Sequence, residues 1–473
     1  MKKRTTHLST CSLESVKNAN DYEELIRMYF PGGIKQAREF VDLDISSALI
    51  RPVEKRDEIK KVLYQKLKEK TGVSLKWGTL TGVKPLKLFK KLLENNENDE
   101  SSVRKILKYD YMTEDDKIGL LNAINDVHKE IGVPEKNTVS IYIGIPFCPT
   151  RCTYCSFTSN QSDYDEIRRY LDALYKEIDY VAKKMQKRDL KAETVYVGGG
   201  TPTTLERDDL QSLVKRVREW IPGTKCNNDY AEFTVEAGRP DTITEEKLEA
   251  LYNNGVNRIS INPQTMKEDT LKIIGRDHGV NDVVDAFKIA KDIGFDGINT
   301  DLIAGLPGED KDDFIETFNK IAEFNPENIT VHTLALKKSS KLMEIFNGDD
   351  SNKVRDGRKN PITNNESHAS EMVDYARENL MKKGYRPYYI YRQKYMADNL
   401  ENVGYAKRNK ECLYNIRIMD EKQTIIAVGA GGSSKVYFPE EDRLERVMNV
   451  SNYEIYIDRV DEMIARKKNK LFI

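Results

Sequence analysis

Between residues 140 and 336 short β-forming runs alternate with helical stretches, and this alternation limits the fold more than any other feature. The runs are SIYIGIPF (140–147), TVYVGGG (194–200), EFTVEAG (232–238), RISINPQ (258–264), GINTDLIAGL (297–306) and NITVHTLAL (328–336). Between them, DEIRRYLDALYKEIDYVAKKM and DDLQSLVKRVREWI place apolar residues near i, i+3 and i+4, the period of an amphipathic helix. Such alternation predicts parallel strands joined by crossovers. Right-handed crossovers leave two solutions, an open doubly wound sheet or a barrel-like arc, and six units are too few for an eight-stranded barrel.

Both architectures put ligands at the carboxyl ends of the strands. Polar and glycine residues gather there. GGGTPT follows the second run, Glu236 and Gly238 end the third, and Gln264 ends the fourth. Asp301 lies within the fifth run and Ala335 near the end of the sixth.

The flanks differ. Residues 1–136 read as an α-rich accessory domain, with RDEIKKVLYQKLKEKTG, KPLKLFKKLLENN and EDDKIGLLNAINDVHKEIG at helical period. NNENDESS reads as a polar linker, and VPEKNT as the boundary before the first strand. Residues 137–345 form the strand–helix array, and residues 346–473 a C-terminal region expected to cover the substrate. The polar stretch after Lys337 reads as a loop, followed by a helix over 366–383 and by β-formers that include IIAVGAGGSSKVYF.

Composition excludes several classes. No apolar run approaches the ~20 residues of a membrane span. The N-terminus is charged but lacks the apolar core of a secretory signal, so a cytoplasmic location is the default expectation. A net charge of -1 argues against a dedicated nucleic-acid binder.

Six cysteines in 473 residues are no disulfide framework. Cys11, Cys226 and Cys412 are isolated and read as small hydrophobes or idle thiols. Cys148, Cys152 and Cys155 instead share one loop, GIPFCPTRCTYCSF, directly after the first strand. Cubane iron–sulfur clusters are mostly held by four thiolates. Three would leave one iron open, the mark of a metal site that does chemistry. Zinc with an unidentified fourth ligand, and plain packing, are the alternatives at this point.

The spacing Cys148-x3-Cys152-x2-Cys155 resembles the signature of the radical S-adenosylmethionine enzymes. The resemblance implies a partial (β/α)6 TIM-like barrel with an α-rich N-terminal domain and a mixed α+β C-terminal domain, an α/β protein overall. It also implies a [4Fe–4S] cluster whose open iron chelates S-adenosyl-L-methionine, and reductive cleavage of that nucleotide to a 5′-deoxyadenosyl radical. YIGIPFC, GGGTPT, VEAGRP, RISINPQTM, IIGRDH and DLIAGLPGE are similar to the oxygen-independent coproporphyrinogen III oxidase family, which includes haem chaperones. WGTLTGVKPLKL and GAGGSSKVYF resemble its HemZ subfamily.

Carried over by motif, Gly199, Gly200 and Thr201 would contact the methionyl end of the nucleotide. Glu236, Gln264 and Asp301 would bind its polar groups, and Arg276 would pair with its carboxylate. Tyr142 and Ala335 would line the adenosine pocket, and Tyr154 would shield the cluster. Each has a bland reading beside it: a tight turn for the glycines, a surface ion pair for Arg276, packing for Tyr142 and Ala335. His278 is read either as a structural hydrogen-bonding group or as a proton handler. Tyr385, Arg386, Tyr388, Tyr389, Tyr391, Arg392 and Lys394 could meet a tetrapyrrole with propionates, or form the solvated face of a strand.

The resemblance implies oxidative decarboxylation of coproporphyrinogen III to protoporphyrinogen IX. A low-potential donor such as flavodoxin or ferredoxin would supply electrons. The better-known oxidases of the family carry a further cysteine two residues after the third, where this chain has Phe157. Haem transfer and radical chemistry on haem itself are therefore the alternatives.

Overall fold

The structure is a computed structural model describing residues 19–30, 33, 37, 56–82, 84–155, 160–225, 229–335, 342, 368–394 and 396–472. Cys11, Cys226, Phe157 and nearly all of the polar stretch after Lys337 lie outside these residues. By contacts the chain divides into two compact units.

The first unit comprises residues 1–123 with 359–367 and 391–401. Its helices include Ala19–Tyr29, Arg56–Thr71, Pro85–Asn95 and Glu100–Lys105. Pro85 begins its helix with no amide hydrogen to lose, and Leu86, Phe89 and Leu93 bury one stripe. The supposed linker NNENDESS is partly helical, because Asp99 caps the Ser101 amide and starts a helix at Glu100. WGTLTGVKPLKL is structural. Trp77 is fully buried and donates to Glu401 Oε2 at 2.7 Å, while Lys117 Nζ takes the other oxygen at 2.6 Å.

The second unit carries one 11-stranded sheet. Six parallel strands form its centre: β1 (Thr138–Ile145), β2 (Lys191–Gly199), β3 (Glu232–Glu236), β4 (Arg258–Ser260), β5 (Gly297–Ala304) and β6 (Asn328–Thr333). Each matches one run of the sequence alternation. The C-terminal region adds β7 (Arg386–Tyr391), β8 (Asn402–Ala406), β9 (Ile425–Val428), β10 (Ser433–Phe438) and β11 (Arg443–Met448). The order is β11-β10-β9-β1-β2-β3-β4-β5-β6-β8-β7, so C-terminal strands extend the array at both edges. β9 joins β1 in parallel, and β8 joins β6 antiparallel.

The long helix Tyr164–Lys187 shows why the crossovers form. Asp163 caps it by accepting from the Glu166 amide at 2.9 Å. Asp165 and Glu166 occupy its first turn and Lys184 and Lys187 its last, each suited to the helix dipole. Ile167, Tyr170, Leu171, Leu174, Ile178 and Val181 bury one face.

One polar residue on that face, Glu177, is fully buried. It accepts from Lys467 Nζ at 2.6 Å, the Tyr456 hydroxyl at 2.6 Å, Asn449 Nδ2 at 2.9 Å and the Gly429 amide at 2.8 Å. This network anchors GAGGSSKVYF. Gly429 has φ +89° and lies so close to β1 that a Cβ would stand 2.5 Å from the Gly144 carbonyl oxygen. The Tyr170 hydroxyl donates to that same oxygen at 2.6 Å and accepts from the Ala430 amide at 2.9 Å.

The aromatic and basic cluster near residue 390 is not a solvated strand face. Tyr385, Tyr388, Tyr389 and Arg392 are buried. Arg386 forks onto Glu130 and reaches Glu411 at 2.9 Å. Arg392 donates to the carbonyls of Leu80 and Asn399. Cys412 is buried and donates to Glu232 Oε1 at 3.2 Å, and burial raises its thiol pKa, as an inert cysteine should behave.

Candidate active site

The cysteine loop leaves the carboxyl end of β1. Its path is fixed by Cys148 N donating to Asn160 O at 3.0 Å and Thr153 N donating to Ile274 O at 2.9 Å. The Cys148 sulfur lies 3.5 Å from the Thr201 hydroxyl. Burial, countered by that hydroxyl, pushes the Cys148 thiol up to about 11. A thiolate there needs a nearby cation, which iron would supply.

The glycine turn after β2 closes against this loop. Gly199 has φ +118°, a backbone few other residues adopt. A Cβ on Gly200 would stand 2.4 Å from Phe147 O and 2.9 Å from Cys148 Sγ. Only glycine lets the turn approach the first cysteine so closely.

Glu236, at the end of β3, accepts from the Tyr196 hydroxyl at 2.6 Å and from the Gly199 amide at 3.3 Å. Burial pushes its carboxyl up to about 7, and repulsion from Asp301 adds to the rise. Asp301 on β5 moves the other way. Burial raises it, but His332, 3.4 Å away, and the Asn299 side-chain amide, at 2.9 Å, outweigh burial and hold it low. Two acids with opposed environments occupy one site, a pattern typical of functional carboxylates.

Parallel register explains the neighbouring aromatic wall. Tyr142 on β1 pairs with Tyr196 on β2, so their side chains share a face. The rings stack with centroids 6.4 Å apart. Tyr414, from the helix Leu413–Asp420, stacks on Tyr196 at 4.5 Å.

Beyond β4 the site is short of partners. Ser260 Oγ, Asn262 Oδ1 and Gln264 Oε1 are buried, alternate in sequence, and have no hydrogen-bond partner. Gln264 holds φ +69°, costly for a residue with a Cβ. Its backbone N–H donates to Asp301 O at 3.0 Å and its backbone carbonyl accepts from Ile303 N at 3.1 Å, which holds the backbone in that conformation. Arg276 donates to the Tyr154 hydroxyl at 2.9 Å, to Asn262 O at 2.7 Å and to Gly238 O at 3.0 Å, leaving Nε unpaired. Buried polar atoms of this kind are completed by a bound group or by water.

The structure thus joins Cys148 to Thr201 and Gly200, Tyr154 to Arg276, and Glu236 to Gly199 and Asp301. Ala335 follows β6 and is half-buried. His278 is buried with Nδ1 3.6 Å from Asp241, beyond hydrogen-bond reach. Sequence reasoning missed His332, Tyr196, Tyr414 and Arg239. The first two lie on strands already assigned, where period-two alternation from Thr330 and Thr194 could have marked them.

The donors suit a cluster. Among the described residues no three His, Cys, Asp or Glu side chains converge as a single metal ion requires. The three thiolates of a cubane bind separate irons and need not meet at one point. A cradle of glycines beside the first cysteine and a row of orphaned oxygens beyond β4 also fit a bound nucleotide.

A strand-end cysteine trio on a parallel sheet defines a class, the Radical SAM superfamily, whose model matches residues 142–321. The chain is 38% identical over 418 residues to the oxygen-independent coproporphyrinogen-III oxidase-like protein HemZ of Bacillus subtilis, covering 87% of this chain and 80% of that protein. It belongs to that family within the superfamily, whose cofactors are a [4Fe–4S] cluster and S-adenosyl-L-methionine. The heme chaperone HemW of Bacillus subtilis is 36% identical over 207 residues, 44% of this chain and 53% of that protein. The coproporphyrinogen III oxidase HemN of Escherichia coli shares the fold, with TM-score 0.52 and 21% identity over 72% of each chain.

Proposed function

We propose that this chain is a radical enzyme acting on a tetrapyrrole, and that it converts coproporphyrinogen III to protoporphyrinogen IX without oxygen. The observation that carries the reading is the row of unsatisfied oxygens on Ser260, Asn262 and Gln264 beside Arg276, whose guanidinium holds Tyr154 of the cysteine loop. In this reading Cys148, Cys152 and Cys155 hold three irons and leave the fourth to the nucleotide. When bound, the cluster supplies the electron that splits the nucleotide's sulfonium.

The protein's residues bind and orient. Gly199, Gly200 and Thr201 bring backbone close to the methionyl group. Arg276 offers Nε to its carboxylate and holds Tyr154 over the loop. Gln264 Oε1 and Asp301 accept from nucleotide donors. Glu236, its carboxyl raised by burial, can hold or release a proton and would accept from a nucleotide hydroxyl or amine. Tyr142, stacked on Tyr196, and Ala335 wall the adenosine and exclude water. A low-potential donor of the flavodoxin or ferredoxin kind, and a cytoplasmic site of action, complete the proposal. Among the described residues no helix is long and apolar enough to cross a membrane.

The second reading is a haem-transfer protein. The similarity to a heme chaperone favours it, as does Phe157 in place of the further cysteine.

Anaerobic reconstitution distinguishes the two. Given nucleotide, reductant and coproporphyrinogen III, the protein should release methionine, 5′-deoxyadenosine and protoporphyrinogen IX together. Deoxyadenosine without a vinyl product would sink the oxidase reading. Stable haem binding with transfer to an apo-acceptor would install the second.

A further inference from the structure

Arg239 follows Gly238 and enters the cysteine loop from the side of β3. Its side chain is 3% exposed. Nη1 donates to the Thr150 hydroxyl at 3.0 Å and points at Cys152 Sγ at 3.8 Å, within range for a sulfur acceptor. Nε and Nη2 fork onto Asp241, each at 2.9 Å. Asp241 in turn lies 3.6 Å from His278. The guanidinium is therefore gripped by one carboxylate and aimed at one sulfur. A fork of this kind holds an arginine in a single geometry. A surface ion pair would need neither the burial nor the third contact.

We propose that Arg239 sets the reduction potential of the cluster held by Cys148, Cys152 and Cys155, with Asp241 as the group that positions it and offsets its charge. The inference rests on the cluster reading above. Reduction adds one electron to the cluster, taken from an external one-electron reductant, with no bond made or broken and no proton moved. A cation hydrogen-bonded to a ligand sulfur stabilises that added negative charge and raises the potential. Asp241 opposes it. Cys152 takes the hydrogen bond from the guanidinium, while Cys148 bonds the neutral Thr201 hydroxyl and feels Arg239 only through its field.

The test uses the full chain, reconstituted anaerobically, with an EPR-monitored titration against dithionite. Iron and sulfide near four per chain in the unaltered protein establish the cluster reading on their own, and a failure there is distinct from a failure here. Arg239→Met is expected to move the midpoint negative by at least a tenfold change in the reduction equilibrium, about 59 mV for one electron. Asp241→Asn, which frees the guanidinium charge, is expected to move it the opposite way. Shifts of opposite sign with iron content retained support the proposal. Unchanged midpoints, or shifts of the same sign in both variants, overturn it. If Arg239→Met loads no cluster, Asp241→Asn decides alone: a positive shift supports the proposal and any other result ends it.

Discussion

Glu177, fully buried, and Glu236, half-buried at a strand end, are acids of the same unit, and each accepts from a tyrosine hydroxyl at 2.6 Å and from a glycine amide. They differ in what else they have. Glu177 also meets Lys467 and Asn449, so its charge is matched and its lone pairs are filled. Among the described residues Glu236 forms no ion pair; it lies near Asp301 and is pushed up to about 7 chiefly by burial. A matched buried acid holds structure together. An unmatched one is held in a costly state by its surroundings and can gain from a ligand.

The largest effect should come from unmatching the matched acid. Lys467→Met leaves the Glu177 charge buried without its counter-ion, and should cost about 3–5 kcal/mol in anaerobic denaturant unfolding. A loss under about 1 kcal/mol would mean that Glu177 is not ionised there, and the contrast would collapse.

Glu236→Gln should do the reverse. It removes an acceptor without stranding a charge, so unfolding stability should hold or rise. Affinity for S-adenosyl-L-methionine, measured by equilibrium dialysis, should fall about 10- to 100-fold, as expected for loss of a charge-assisted hydrogen bond. Unchanged affinity would remove Glu236 from the nucleotide site.

The pH dependence sharpens the same point. Because the folded Glu236 carboxyl titrates above its unfolded value, the native state keeps a proton that the unfolded chain releases. Stability attributable to this group is full below the unfolded value of about 4.5 and declines as pH rises towards about 7. Relative to Glu236→Gln, the unaltered protein should lose on the order of 1–3 kcal/mol across that window. A flat difference between the two stability curves would contradict the raised pKa.

The smallest effect compares two hydroxyls. Tyr456→Phe should destabilise by roughly 1.5–3 kcal/mol, because it strips a donor from a charged, buried acid. Tyr196→Phe should cost less, about 0.5–1.5 kcal/mol, since its acid can protonate instead. Equal losses in parallel melts would show that the two acids carry the same charge.

How far the sequence reached depends on what each feature encodes. Periodicity is local, and it located β1 to β6 and their mouths to within a few residues. It marked the cysteine loop, Gly200, Glu236 and Gln264 because strand ends carry ligands in parallel sheets, whereas Arg276 came only from the family resemblance. Pairing partners are not local. Nothing in IIAVGAGGSSKVYF announces that residues 425–428 will lie beside residues 140–143. Tyr414 reaches the wall from a helix that no strand motif identifies. Arg239 was visible in VEAGRP, but its role depends on a 3.8 Å approach to Cys152 that spacing does not reveal. The basic and aromatic run near residue 390 misled for the opposite reason. Its composition suits a ligand, but packing and ion pairs inside the fold consume it.

The seat of β1 between β2 and β9 has a consequence for synthesis. The cysteine-bearing strand emerges from the ribosome long before residues 425–428 exist to cover its other edge. At about 5–20 residues per second that edge stays open for tens of seconds, a template for unwanted pairing. Chains halted before residue 425 should therefore aggregate more readily than the full chain.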